Sequence, residues 1–378
     1  MITQPGGNYS RNFRQRIVLI WTDQFLGIPA VWRQHERTQA SRCPDVPKCV
    51  LTQDRSMYAR ADAIVFHYRH QNWRDLPPIR YANQRYIFFN MESPPHTFSS
   101  KGGLFVEHGY TPWFASDPLV SLGIDFYNWT LTYRTDGDVR TNNLTSYAYA
   151  FRRSRLIAWF VSNCRTPGRR EDYVRALQRY IPVDIYGECG SLTCTRDDHS
   201  SCLALVRDNY KFLIAFENTV CRDYITEKFT QALDAFAVPI VLHGATYESY
   251  GMPKMSYIAA DDFGSPSALG DYLRYLDKND TAYREYLNWR QYYEPVNQSF
   301  WCDLCAKLND VNMPRKVYAN MAEWWSKDNC RSAYGRLLVI LSGDYRDFMQ
   351  NFDLFIFLIF GACYALICIG YQCVCSRK

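Results

Sequence analysis

Along this chain, apolar runs of five or six residues alternate with polar stretches of helical spacing, which predicts an α/β protein. Arg16-Ile17-Val18-Leu19-Ile20-Trp21 reads as a buried first strand. Asp54 to Asp62 reads as a short helix, followed by strands at Ala63-Ile64-Val65-Phe66-His67-Tyr68 and Arg85-Tyr86-Ile87-Phe88-Phe89-Asn90. Pro94-Pro95 stops further pairing and leaves Glu92 at the carboxyl end of the last of these strands. Ser99 to Ser146 carries few clear periods and is expected to be rich in loops.

A second series begins at Leu156-Ile157-Ala158-Trp159-Phe160-Val161. A helix near Arg170 to Tyr180 follows, then strands at Val183-Asp184-Ile185-Tyr186-Gly187 and Lys211-Phe212-Leu213-Ile214-Ala215-Phe216. Phe229, Leu233 and Phe236 stand at i, i+4 and i+7, the spacing of a helix over Thr226 to Phe236. Val238-Pro239-Ile240-Val241-Leu242 returns as a strand and stops at Gly244. This is a βαβ pattern with a binding loop at a strand's carboxyl end, where open α/β sheets hold ligands. Neither GxGxxG nor GxxxxGK[ST] occurs, so dehydrogenase and P-loop readings lack their fingerprints.

With 47% apolar and 21% charged residues, the 378-residue chain is globular and long enough for two domains. The net charge of +5 is spread out, which excludes nucleic acid as a partner and suits an anionic small molecule. Of the 14 cysteines, only Cys302 and Cys305 form a CxxC motif, and no second motif completes a zinc site. Disulfides are the better reading, with Cys302 and Cys305 joined to each other or back to Cys43 and Cys49. Five sequons, at Asn8, Asn128, Asn143, Asn279 and Asn297, agree with a lumenal protein. Residues 1–15 are polar, whereas Leu354 to Tyr371 is an uncharged run close to the ~20 residues that cross a bilayer. A transmembrane helix is therefore expected over 354–375, with Arg377 and Lys378 on the cytosolic face.

The motif Phe216-Glu217-Asn218-Thr219-Val220-Cys221-Arg222-Asp223-Tyr224-Ile225-Thr226-Glu227-Lys228 resembles the donor signature of the α1,3-fucosyltransferases, glycosyltransferase family 10. Further blocks resemble the family in order, among them Cys49 to Arg55, Ala61 to His67, Met91-Glu92-Ser93-Pro94-Pro95-His96-Thr97 and Asn128 to Arg134. The likeness runs over roughly 16 to 330, and so many ordered blocks are beyond chance.

The resemblance implies a GT-B fold, two Rossmann-like domains facing across a cleft, plus the C-terminal hydrophobic helix. It divides the chain into an acceptor-side domain over 16–150, a GDP-fucose-binding domain over 151–330 and a linker over 331–353. It also implies inverting transfer of L-fucose from GDP-fucose to the 3-hydroxyl of a GlcNAc residue on a glycoprotein glycan. Glu92 takes the role of general base. Arg170 and Lys228 meet the diphosphate, with Arg169 as a substitute for Arg170 under a shifted alignment. Glu227 matches the residue on the ribose hydroxyls, and Asn218 and Tyr224 match donor-site hydrogen-bonding positions. Glu217 is left open between orienting Asn218 and touching fucose.

GDP-fucose is then a co-substrate and no cofactor is obligatory, with Mn²⁺ at most stimulatory. A metal would need an acidic cluster after a strand, and Asp197-Asp198 and Asp261-Asp262 read instead as solvated turn residues. The expected location is the Golgi membrane with the catalytic domain in the lumen, although the family's N-terminal anchor has no counterpart here. Asp136-Gly137-Asp138-Val139-Arg140 departs from the family pattern, as does Phe236-Ala237 before Val238. Cys189, Cys194, Cys202 and Cys221 resemble the invertebrate, core-modifying branch, while an antennal acceptor stands as the alternative. Two rival readings are a catalytically inactive sugar-binding relative and an inverting transferase for another nucleotide sugar.

Overall fold

The structure is a computed structural model that describes residues 15–22, 49–99, 125–140, 153–194, 199–293, 300–326 and 330–343. The first unit contains β1 (Arg16–Ile20), β2 (Cys49–Thr52), a 3-10 turn (Arg55–Arg60), β3 (Ala63–His67), β4 (Arg85–Asn90), α1 (Pro94–Ser99), β5 (Trp129–Thr132) and β6 (Val139–Arg140). Its strands form one parallel sheet in the order β2-β1-β3-β4-β5-β6. Parallel strands are covered on both faces, which is why they read as unbroken apolar runs. Alternate side chains divide accordingly: Leu19, Ile64, Phe66 and Phe88 enter one core, and Val18, Ile20, Val65 and Ile87 enter another.

The second unit contains β7 (Arg155–Phe160), α2 (Arg170–Leu177), β8 (Asp184–Tyr186), α3 (His199–Asn209), β9 (Tyr210–Ile214), α4 (Glu227–Asp234), β10 (Val238–Val241), α5 (Gly244–Ser249), β11 (Ile258–Ala259), α6 (Pro266–Lys278) and α7 (Asp280–Asn288). Its parallel sheet has the order β11-β10-β9-β7-β8. Strand order reverses between β7 and β9, so the loops leaving these two strands diverge and open a crevice. Local chemistry supports the elements. Ser265 caps α6 by accepting from the Ala268 N–H at 3.0 Å, ahead of Pro266 in the first turn.

Three short helices follow among the described residues: α8 (Phe300–Asn309), α9 (Met321–Ser326) and α10 (Tyr334–Leu341). Trp301, Leu304, Cys305 and Leu308 of α8 cover one face of the first sheet, and Met321, Ala322 and Trp325 of α9 join the core on the other. Residues 300–326, expected with the second domain over 151–330, thus pack on the first sheet. The expected linker over 331–353 contains α10, whose Tyr334 and Val339 enter the core around α2 and β7. The short helix expected over Asp54 to Asp62 is the 3-10 turn, and β5 and β6 lie in the stretch expected to be loop-rich. Among the described residues no helix is long and apolar enough to cross a membrane. The expected transmembrane segment over 354–375 lies outside the described residues.

Candidate active site

A cleft of about 640 Å³ lies between the units, lined by Arg69, Glu92 and His96 on one side and by loops of the second sheet on the other. Those loops bring Arg170, Asn218, Tyr224, Glu227 and Lys228 into the same cleft. All six expected catalytic and donor residues thus converge, though they are drawn from three separate stretches of chain. The units are tied together beside it. The Ser93 hydroxyl donates to Thr219 Oγ1 at 3.2 Å, and the Thr135 hydroxyl donates to Asp223 Oδ2 at 2.6 Å.

Glu92 stands two residues beyond β4. Its N–H donates to Asn90 Oδ1 (3.1 Å), the Asn90 amide donates to Thr97 Oγ1 (2.8 Å), and Trp325 Nε1 donates to the same oxygen (3.0 Å). The backbone of Glu92 is thereby held while its carboxylate faces the cleft. Arg69 Nη1 reaches Glu92 Oε1 at 2.8 Å, and both side chains are partly exposed. His96 also lines the cleft, and its Nε2 is buried without a hydrogen-bond partner. Burial, ahead of the opposing pull of Glu92, holds its pKa below the usual histidine value.

Arg170 opens α2 and is 3% exposed. Nη1 donates to the Phe216 carbonyl, while Nε is buried with no partner. A guanidinium in this state retains donor capacity for an anion, since an unpaired buried N–H costs roughly 1–3 kcal/mol. Burial pulls its pKa down against the opposing effect of Glu217. Arg169 does not take this place: its Nε turns to Asp172 at 3.0 Å. Lys228 Nζ donates to Glu217 Oε2 (2.9 Å), Thr226 Oγ1 (2.7 Å) and Glu227 Oε1 (3.1 Å). Burial pushes its pKa down, but Glu217 and then Glu227 outweigh it, and the ammonium is held charged.

Glu217, left open in the sequence, is the organiser of this corner. It is 6% exposed and accepts from the Thr226 N–H (2.7 Å) at the start of α4, from the Thr226 hydroxyl (2.8 Å), and from Lys228. Its position at the end of a strand with Thr and Lys nine and eleven residues on was the available signal. Asn218 is half-buried, and its carbonyl accepts from the Gly168 N–H at 2.9 Å, joining two loops of the cleft. Tyr224 is 3% exposed and packs on Tyr133 at 4.8 Å between centroids. Burial first, then Glu217, raises its pKa far above the usual phenol range, so it stays a neutral O–H donor. The Glu227 side chain is 62% exposed at the cleft rim.

Asp261 departs from the expected solvated turn. It accepts from the Gly244 N–H (2.9 Å) and the Tyr334 hydroxyl (2.9 Å) and pairs with His243 Nδ1. Asp262 remains exposed, and Asp197 and Asp198 lie outside the described residues. Among the described residues no three His, Cys, Asp or Glu side chains are grouped to hold a metal ion.

Cys305 bonds back to Cys49 rather than to Cys302, which is itself disulfide-bonded, while Cys43 lies outside the described residues. Three more bridges join Cys164–Cys189, Cys194–Cys202 and Cys221–Cys330, the last of them within the core of the first sheet. Asn128 is a correction: it is 7% exposed, its Nδ2 donates to the Lys316 carbonyl at 2.9 Å, and its Oδ1 accepts from the Tyr86 N–H at 2.8 Å. The fold uses this amide internally and does not present it for a glycan. Asn279 caps α7, accepting from the Ala282 N–H at 3.1 Å, and Asn143 and Asn297 lie outside the described residues.

Two parallel α/β units share this cleft, and comparison with known families assigns the class. Residues 150–324 match "Glycosyltransferase family 10 (fucosyltransferase) C-term" and residues 13–143 match "Fucosyltransferase, N-terminal". The chain belongs to glycosyltransferase family 10. Among relatives, it is 35% identical over 307 residues to "Glycoprotein 3-alpha-L-fucosyltransferase A" of Drosophila melanogaster, covering 75% of this chain and 56% of that protein. It is 32% identical to "Alpha-(1,3)-fucosyltransferase C" of the same organism, covering 84% and 79%. The chain thus spans little more than half of the first relative. A solved structure titled "Crystal Structure of alpha1,3-Fucosyltransferase" aligns at TM-score 0.49 and 14% identity, over 84% of this chain and 94% of that one, too distantly to bear on the site.

Proposed function

We propose that the chain transfers L-fucose from GDP-fucose, with inversion, to the 3-hydroxyl of a GlcNAc residue on a glycoprotein glycan. The observation that carries this reading is the convergence of Glu92 with Arg170 and Lys228 across one cleft. The acceptor oxygen attacks the anomeric carbon, the bond from that carbon to the GDP oxygen breaks, and Glu92 takes the hydroxyl proton. Charge building on the departing diphosphate is met by Arg170 Nε, which has no protein partner, and by Lys228. Lys228 exchanges part of its contact with Glu217 and Glu227 for phosphate oxygen. Tyr224 and Asn218 add neutral hydrogen bonds, and Glu227, at the rim, accepts from the ribose hydroxyls. The side-chain cations serve where other transferases use a metal, so Mn²⁺ is at most stimulatory.

The relatives' names support an α1,3 linkage, and that of the first relative supports a glycoprotein acceptor. The disulfides favour an oxidising lumen, and we place the enzyme in the Golgi, held at the membrane by 354–375. Labelled GDP-fucose on a glycan array tests the activity and separates core from antennal acceptors. Release of no GDP with any acceptor would leave a sugar-binding protein, and transfer only from another donor would overturn the fucose assignment. Protease accessibility in intact microsomes tests the location.

A further inference from the structure

The family match ends at residue 324, yet the chain beyond it is built into the donor half of the cleft. Two loops carry the donor residues, 166–170 leading to Arg170 and 217–224 holding Asn218 and Tyr224. The stretch from Cys330 to Arg336 is attached to both. Cys330 is disulfide-bonded to Cys221, and the Arg331 N–H donates to the Val220 carbonyl at 2.7 Å. The Ala333 N–H donates to the Pro167 carbonyl at 2.7 Å, and the Gly335 N–H to the Gly168 carbonyl at 2.8 Å. Arg336 Nε then donates to buried Asp172 at 2.8 Å, the carboxylate that also receives Arg169 and Arg175.

Gly335 is where this attachment is tightest. A Cβ there would stand 2.5 Å from the Arg169 carbonyl oxygen and 3.1 Å from the Arg170 Cα. Both partners are backbone, so they cannot step aside as a side chain would. Arg169 itself sits at φ 53°, a left-handed conformation that only surrounding contacts maintain. The strap therefore sets the height and direction at which Arg170 enters the cleft.

We propose that residues 330–341 are a positioning strap for the donor site, locking the Arg170 loop against the Asn218–Tyr224 loop. The proposal rests on the reading that the cleft takes a nucleoside diphosphate sugar. Cys330 also joins the core of the first sheet beside Trp325, but the segment's backbone bonds named above all run to the two donor loops, so its effect falls chiefly on donor affinity.

The test compares wild type, Gly335→Ala, Arg336→Ala and, as a control with no atom within 4 Å of the added Cβ, Gly264→Ala. GDP affinity by calorimetry, KM for donor and acceptor separately, and Tm are measured on the whole chain. Gly335→Ala is expected to weaken GDP binding on the order of 10–100-fold, the scale of a misplaced binding group. Arg336→Ala acts in the same direction and keeps the fold, because Asp172 retains two arginines; acceptor KM and the control stay unchanged. Folded variants that bind GDP as wild type does would overturn the strap. So would loss of folding in both, since the segment would then be structural cement alone. If Gly335→Ala alone fails to fold, Arg336→Ala decides. Wild type that does not bind GDP would sink the functional reading first, and the strap with it.

Discussion

His67 offers a test in which acid, rather than a substitution, is the perturbation. It ends β3, is 8% exposed, and its Nδ1 lies 2.6 Å from His70 Nδ1. One nitrogen in such a contact must carry the hydrogen and the other must accept it, so the two rings cannot both be protonated and keep the bond. Burial foremost, then His70 and Arg69, lowers the pKa of His67 from 6.5 to about 3. His70 is lowered as well, by burial and then Arg69. Between these limits the unfolded chain binds a proton at His67 that the folded chain refuses, so stability falls as pH drops below 6.5. At pH 5 the unfolded residue is ~1.5 units below its pKa, and at ~1.4 kcal/mol per unit the loss is about 2 kcal/mol. The folded form contributes almost nothing to that sum, being still neutral. The assay is urea unfolding at pH 7.5 and pH 5 for wild type and His67→Gln. The variant lacks this titration and should lose about 2 kcal/mol less on acidification. Equal acid losses in the two proteins would refute the argument.

Glu92→Gln keeps size but cannot take the acceptor proton, so kcat should fall on the order of 10²–10⁴-fold while GDP affinity by calorimetry stays put. Lys228→Ala removes a charge-assisted bond to phosphate contributing roughly 1.5–3 kcal/mol, and GDP should bind about 10–150-fold more weakly in the same assay. Asn128→Ala strands the Tyr86 N–H and the Lys316 carbonyl at roughly 1–3 kcal/mol each, which urea unfolding reads; gel mobility after endoglycosidase should match wild type. Replacing Cys49 and Cys305 with serine opens a link across 256 residues and should lower stability by about 5 kcal/mol in denaturant without changing donor KM.

Most strands could be read from the chain because each is an unbroken apolar run, and the donor corner because Glu217 to Lys228 is one contiguous motif. Where information is spread out, reading failed. β5 and β6 are too short to show a period, and α8 and α9 have the same apolar spacing whichever sheet they cover. Pattern gives burial but not the partner. Hence the return of 300–326 to the first sheet has no counterpart in the sequence pattern. Arg170 was told from Arg169 only by the left-handed turn that sends one inward and the other to Asp172. His96 lies within the Met91 to Thr97 block, yet nothing in its spacing marks a ring nitrogen left without a partner.

The return of α8 and α9 to the first sheet has a consequence for synthesis. That sheet is laid down by residue 140, but the helices that cover it end at residue 326. At roughly 5–20 residues per second, the 186 intervening residues (326 − 140) take about 10–40 s to be made. During that interval the cores on both faces of the sheet lack the side chains of α8 and α9. The donor-side sheet, contiguous from 155 to 259, emerges complete in the meantime. The sheet that begins first in the chain thus receives α8 and α9 only after the second sheet has been made.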